Sequence, residues 1–242
     1  MSNVGDLRIS GSGSTAGGVF NTVSISGWGE VSGDIECCDF KISGSGRIKG
    51  AIKTENGSIS GSGRVDGNID AHDFTVSGSS HIGGNVTGKS FRVSGDTKID
   101  GTLGSDDIKI SGSVRIGSDC SAEVFRCSGL FNINGMLNAG IVDAELYHIK
   151  SHASDIGGEK ITIRQGHGAW LSGLFKSLFT GTNIILETGS IEGDEIYLEC
   201  TKANVVRGNN VTIGNGCDIG LIEYKGEFKH IGDSKITESR KI

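Results

Sequence analysis

The chain of 242 residues has no proline, and only 6% of it is aromatic. It contains no run of 18 apolar residues, so no transmembrane helix is expected. The opening Met1-Ser2-Asn3-Val4-Gly5-Asp6 has neither a basic nor an apolar stretch, so no signal peptide is expected. Basic residues are in the minority, 23 against 29 acidic for a formal net charge of -6, which gives no broad electrostatic footprint for nucleic acid. The six cysteines, at 37, 38, 120, 127, 200 and 217, form no C-x-x-C pair, and reduced thiols in a cytoplasm are expected. Missing proline, and glycine that does not recur every third residue, exclude a collagen.

What the chain does have is 41 glycines and a repeat. An apolar-Ser-Gly tripeptide has its apolar member at Ile9, Ile25, Ile42, Ile59, Val76, Val93, Ile110 and Cys127, a step of 16 and then of 17 throughout. Three further series keep the same step: Val31, Ile48, Val65, Ile82, Ile99, Ile116, Ile133; Ile35, Ile52, Ile69, Val86, Leu103, Cys120, Leu137; and Val23, Phe40, Gly57, Phe74, Phe91, Ile108, Phe125. Such strict recurrence of β-branched residues argues against disorder. Repeat periods are read before anything else because they decide the fold, and 17 residues are too few for a helical pair or a propeller blade. Phe40 and Ile42 alternate with polar neighbours, the strand period of two. One unit therefore reads as one coil of a β-solenoid, with glycine at corners whose sharp bends other residues resist. Coils pair through the backbone at roughly 4.8 Å, and apolar side chains stack in columns inside. Proline would delete a ladder donor in strands with neighbours on both sides, which accounts for its absence. Inward steps of six, four and seven (25, 31, 35, 42) break the hexad of left-handed helices. The fold class expected is all-β: a single right-handed parallel β-helix with a three-sided coil.

Residues 7–144 carry the regular coils. The phase breaks across 145–182, around His148, Ser151 and Gly157-Gly158. Strand-like runs return over 183–237 as degenerate coils, and 238–242 are expected to fray.

The run Ile42-Ser43-Gly44-Ser45-Gly46-Arg47-Ile48-Lys49-Gly50-Ala51-Ile52 and its in-phase copies resemble the bactofilins, bacterial polymer-forming cytoskeletal proteins. The resemblance covers 7–144 well and the rest weakly. It implies a cytoplasmic filament that assembles without nucleotide through the ends of its β-helices, attaches to the membrane, and scaffolds cell-shape, wall or motility machinery. The sequence departs from the common pattern in lacking Pro-containing tails and in its degenerate second half, so an N-terminal membrane-targeting peptide is not carried over.

Physics gives polymerisation its own warrant. A solenoid's terminal coils expose strand edges and core-facing side chains, which soluble repeat proteins cap and uncapped ones use for pairing. Coil-like sequence begins at Leu7, so Leu7, Ile9, Val23 and Ile25 are candidate polymer contacts at one end, and Phe228, Ile231 and Ile236 at the other. The blander reading has Met1–Asp6 folding over the first end.

Several motifs bear on chemistry. Gly83-Gly84-Asn85-Val86-Thr87-Gly88-Lys89-Ser90 fits the phosphate-loop pattern G-x-x-x-x-G-K-[ST], whose mechanism needs a helix starting at the lysine. The repeat explains these residues instead, since Phe91-Arg92-Val93 continues the strand pattern. The Gly-Ser-Gly stretches at 11–13, 44–46 and 61–63 recur in register, as corners do. His148 and His152 stand four apart without the glutamate of a zinc protease and without a third ligand. Cys120 and Cys127 lie in core columns as small hydrophobes, whereas Cys37-Cys38 could include an exposed thiol. Asp66, Asp100 and Asp106-Asp107 could line a groove as in carbohydrate-active β-helices, but such enzymes build their clefts from long loops. His72 or His81 would be the base of an acyltransferase solenoid, but the hexad is missing.

The most distinctive irregularity is Ala169–Phe179, within a possible amphipathic stretch at 169–180. Trp170, Leu171, Leu174, Phe175, Leu178 and Phe179 form a helical stripe holding one of two tryptophans and two of nine phenylalanines. It could cover the solenoid core, serve as an oligomer or partner surface, or anchor at a membrane surface, where many copies in a filament would gain avidity.

The reading is a nonenzymatic structural protein that forms a homopolymer, or copolymerises with a related subunit, at the inner face of a bacterial membrane. It expects no cofactor, metal, nucleotide or nucleic acid. The alternatives are a β-solenoid enzyme, acyltransferase or carbohydrate-active, and a binding scaffold that does not polymerise.

Overall fold

The computed structural model describes residues 4–147, 150–166 and 186–242. Among them all regular structure is β, in 21 strands whose ladders are parallel and join one coil to the next. The chain divides into two units, Met1–Ala122 and Glu123–Ile242.

The first unit keeps the 17-residue step. Its short strands β5 (Ser45–Ile48), β7 (Ser62–Val65), β9 (Ser79–Ile82) and β11 (Asp96–Ile99) stack with Ile48, Val65, Ile82 and Ile99 in one column. The longer β6 (Ile52–Ile59), β8 (Ile69–Val76), β10 (Val86–Val93) and β12 (Leu103–Ile110) stack Ile59, Val76, Val93 and Ile110 in another. Their ladders skip the middle residue, passing from Thr54–Ala71 to Asn56–Asp73, so each coil is three straight segments. The columns are fully buried, each large aliphatic contributing about 1.5–3 kcal/mol against exposure.

Two devices set the corners. A Cβ on Gly44, Gly61, Gly78, Gly95 or Gly112 would strike the carbonyl oxygen of the glycine one coil earlier, so close stacking excludes any side chain there. At another corner a side chain takes the place of the missing backbone acceptor. Asp34 Oδ1 accepts the N–H of Ala51 at 2.7 Å, Asn68 Oδ1 that of Asn85 at 2.9 Å, and Asn85 Oδ1 that of Thr102 at 2.9 Å. The aromatic column explains its own gap: a Cβ on Gly57 would enter the ring of Phe74, which stacks on Phe91 at 6.1 Å.

The second unit has the same architecture with uneven coils. In β15 (Leu130–Leu146), β16 (Ser151–Gln165), β17 (Leu186–Leu198), β18 (Thr201–Ile213), β19 (Asp218–Tyr224) and β21 (Lys235–Lys241), one column runs Asn132, His152, Glu187, Lys202, Asp218, Lys235. The inward column nevertheless stays apolar, through Val142, Ile161, Ile196 and Val211 to Phe228 of β20 (Phe228–His230).

Two expectations are corrected. The span 145–182 contains the regular strand β16, whose inward Ser151, Ala153, Ile156, Ile161 and Ile163 are buried. Residues 238–242 do not fray: β21 runs to Lys241 paired with β19, and the Ile242 N–H donates to the Tyr224 carbonyl at 2.9 Å. The stripe Trp170, Leu171, Leu174, Phe175, Leu178 and Phe179 lies outside the described residues.

Candidate assembly interface

At the N-terminal edge β1 (Leu7–Ile9) pairs with β3 (Thr22–Ile25), and β2 (Ser12–Val19) with β4 (Trp28–Ile42). Among the described residues β1 and β2 are laddered on one side only. Leu7 sits over Val23 and Ile9 over Ile25; Leu7 and Ile9 are half-buried, while Val23 and Ile25 are wholly so. This corrects the expected contact set, because Val23 and Ile25 belong to the second coil and support the edge from beneath. Further positions of the first coil over the inward columns carry Gly13 over Gly29, Thr15 over Val31 and Gly18 over Ile35, none of them charged. The Asn21 N–H donates to the Gly5 carbonyl at 2.9 Å, which keeps Gly5 in the first coil.

The C-terminal edge differs. β20 pairs with β18 and β21 with β19. Phe228 is half-buried against Tyr224 at 5.6 Å, Ile236 is half-buried, and Ile231 is 58% exposed. Polar residues end the other columns: His230 follows Ile213 and Ser239 follows Ile222. The last strand is also tied by charge. Glu223 accepts from Arg207 Nε at 2.6 Å and from Arg240 Nε at 3.0 Å. These bonds, Arg240's first, hold the Glu223 carboxyl below its ordinary pKa.

The residues weighed for catalysis do not converge. In the phosphate-loop match no helix begins at Lys89: β10 runs straight through it. The N–H groups of Gly83, Gly84, Asn85 and Val86 already donate to Val65, Gly67, Asn68 and Thr102. Asp66 lies between Arg47 and Arg64, and Asp100 between Lys98 and His81, which hold both carboxyls low and charged. Asp106 stands exposed at the bend of β12, and Asp107 pairs beyond it with Ser90 of β10. His72 Nδ1 is 2.8 Å from Asp73, and His81 is placed between Arg64 at 3.0 Å and Asp100 at 2.7 Å. His152 Nδ1 meets the Glu187 carbonyl at 3.1 Å, and His148 lies outside the described residues.

Burial pushes the Cys120 thiol far up and that of Cys127 to about 12. Cys38 is exposed. An open groove of about 670 Å³ passes Val19, Phe20, Cys37, Lys53, Thr54 and Glu55; its Cys37 thiol is raised by burial and bonds Thr54 at 3.5 Å, the reverse of an activated nucleophile. Among the described residues no group of three or more His, Cys, Asp or Glu could hold a metal ion, and no helix is long and apolar enough to cross a membrane.

The fold defines the chain as a parallel β-solenoid whose first coil carries half-buried Leu7 and Ile9 over a buried column. Comparison agrees: the family model described as "Bactofilin: Polymer-forming cytoskeletal" matches residues 5–104. The uncharacterized protein YhbE of Bacillus subtilis (strain 168) is 56% identical over 244 positions, spanning all of both chains. The uncharacterized YhbF of the same strain is 40% identical over 108 residues, which are 45% of this chain and 42% of YhbF. No solved structure matches. The chain belongs to the bactofilin family of polymer-forming cytoskeletal proteins.

Proposed function

We propose that this protein assembles end to end into filaments without nucleotide, and that the filaments scaffold processes at the inner face of the cell membrane, in cell shape, wall synthesis or motility. The observation that carries the reading is the first coil, where Leu7 and Ile9 stand half-exposed over a buried column while β1 and β2 keep one ladder side open among the described residues. An edge with apolar side chains and unused backbone groups is a template for a second chain. Phe228, Ile231 and Ile236 are the contacts at the opposite end, on a more polar surface.

Leu7→Asp with Ile9→Asp puts two charges on that edge and leaves the buried Val23 and Ile25 unchanged. The double variant is expected to abolish filaments in negative-stain micrographs taken without ATP or GTP, while the β circular-dichroism signal persists. Filaments of wild-type length from the variant would remove this edge as a contact.

Membrane attachment is assigned to Trp170, Leu171, Leu174, Phe175, Leu178 and Phe179. The paired strands around them support the assignment: Ser151 pairs with Leu186 across 35 residues, whereas Leu186 pairs with Thr201 across 15, so the intervening sequence is surplus to a coil. Phe175→Asp with Phe179→Asp is expected to lose co-sedimentation with liposomes, and equal binding by the variant would end that assignment.

A further inference from the structure

The first coil is one residue short, and the shortage reshapes one flank of the first unit. The step from Ile9 to Ile25 is 16 residues, where later coils take 17. The β2–β4 register slips between Ala16 and Gly18, so Gly18 stands over the buried Ile35 and Val19 over Glu36. Later coils carry Glu36, Lys53, Asp70 and Thr87 at that outward position, all polar and exposed. Val19 therefore puts an apolar side chain, 62% exposed, at the head of a polar row. Phe20 follows it. Its N–H donates to the Glu36 carbonyl at 2.8 Å, and its ring turns back to within 3.6 Å of where a Cβ on Gly18 would stand.

Val19 and Phe20 wall one end of the open groove of about 670 Å³. The small, buried Cys37 and Thr54, partners in one ladder, line it further along. From Val19 to Asp70 the lining crosses four coils. At the usual strand spacing that is about 14 Å, the length of about four residues of extended chain. Its charges do not cancel. Lys53 is paired with Glu36 at 3.3 Å, whereas Glu55 and Asp70 are exposed and have no ion-pair partner among the described residues.

We infer that this groove docks a basic segment of a partner protein, one in which an apolar side chain is followed by lysines or arginines. The inference rests on the scaffold part of the proposed function and not on polymerisation. The groove is divided along its length. Val4, Val19 and Phe20 offer apolar surface at one end, and Glu55 and Asp70 offer two uncompensated negative charges towards the other. An extended segment with one apolar anchor and cations beyond it meets both halves at once. The same two acids repel an anionic bilayer, which selects a protein segment over a lipid surface. Contacts of this kind govern encounter and register more than affinity, so one site binds weakly and loses strength with salt.

The test uses the full chain, titrated against dye-labelled peptides with fluorescence anisotropy as the readout. The probes are Phe-Lys-Ser-Lys-Arg, its apolar-free form Ser-Lys-Ser-Lys-Arg, and its charge-reversed form Phe-Glu-Ser-Glu-Glu. The first is expected to bind most tightly and the third not at all. Raising NaCl from about 50 to about 500 mM, which shortens the Debye length about threefold, weakens the first by about fivefold or more. Glu55→Lys/Asp70→Lys is expected to lower its affinity about tenfold or more and to gain the acidic probe instead. Val19→Ser weakens the Phe-containing probe by about threefold and leaves the Ser-containing one unchanged. Glu192→Lys/Asp194→Lys makes the same charge change on exposed residues of the second unit and is expected to change nothing. Equal losses from the two charge variants would reduce the binding to diffuse attraction by an acidic chain and overturn the inference, as would no binding by the wild type. So would a Glu55→Lys/Asp70→Lys variant that loses filaments while its β circular-dichroism signal persists, which assigns the groove to a second copy. A wild-type chain without filaments defeats the end-to-end reading alone, and the titrations still decide this one.

Discussion

The two units solve one packing problem under different tolerances. In the first, coils keep a 17-residue step, and the glycine corner recurs because each Cα lies against the carbonyl oxygen of the preceding coil. In the second, successive partners Asn132, His152, Glu187, Lys202, Asp218 and Lys235 are separated by 20, 35, 15, 16 and 17 residues. The core does not register the disorder in length: Val142, Ile161, Ile196 and Val211 are all buried. The inward column therefore defines a coil, and the corners take up whatever length remains. Tight stacking demands glycine in the second unit too, as at Gly158 against the Ala139 carbonyl oxygen and Gly193 against that of Gly158; in the first unit the demand recurs at one fixed step.

That distinction predicts opposite outcomes for one substitution. Gly95→Ala places a methyl group against the Gly78 carbonyl oxygen, with the Ser77 carbonyl oxygen also within 2.8 Å. Both obstacles are backbone of the preceding coil and leave little room to yield, so the variant is expected to lose about 3 kcal/mol or more. For a chain of this size that lowers Tm by about 6–12 °C in a thermal melt. Gly140→Ala meets the Glu123 carbonyl oxygen at 3.0 Å and little else, so a small shift accommodates it. Its cost is expected to stay below about 1 kcal/mol, offset in part by the reduced freedom of the unfolded chain. Equal melting shifts for the two would mean that backbone packing does not separate these two positions.

The same contrast explains which parts of the molecule were legible beforehand. Four apolar series in phase are enough to place the strands of the first unit, because the spacing that builds the columns is also the spacing along the sequence. That Leu7 and Ile9 lie in the first coil follows from where the repeat begins. Val23 and Ile25 are covered by Leu7 and Ile9, and a series of equivalent residues does not itself mark which member is covered. In β16 the signal weakened because a serine fills a core position: Ser151 is fully buried, and its hydroxyl accepts the Phe131 N–H at 3.4 Å. In β21 it faded, because Ile236 is the one apolar residue of Lys-Ile-Thr-Glu-Ser-Arg-Lys, and among the described residues the strand is laddered on one side only. The bridge Arg207–Glu223–Arg240, whose members stand 16 and 17 residues apart in the ladder, lies outside the apolar columns and so leaves no mark in the hydrophobic repeat.

Two carboxylates bridged by guanidinium pairs give the finest version of the comparison. Asp66 joins Arg47 and Arg64 inside the regular stack, where β7 has neighbours on both sides. Glu223 joins Arg207 and Arg240, and its Arg240 half ties the terminal strand β21 beside the longer Lys235–Asp218 pair at 3.8 Å. Both carboxyls are held below their ordinary pKa, chiefly by the arginine hydrogen bonds. A depressed folded-state pKa means that the contribution is complete above the unfolded value, about 4, and is lost as pH falls through the folded value. Glu223→Gln is therefore expected to speed amide hydrogen exchange in 235–241 at pH 7, with the difference from wild type fading as the pH is lowered below 4. Asp66→Asn, in a coil held from both sides, is expected to leave exchange in 62–65 unchanged. Faster exchange there would show that the interior coils depend on their ion pairs as the terminal strand does, and that position in the stack offers no protection.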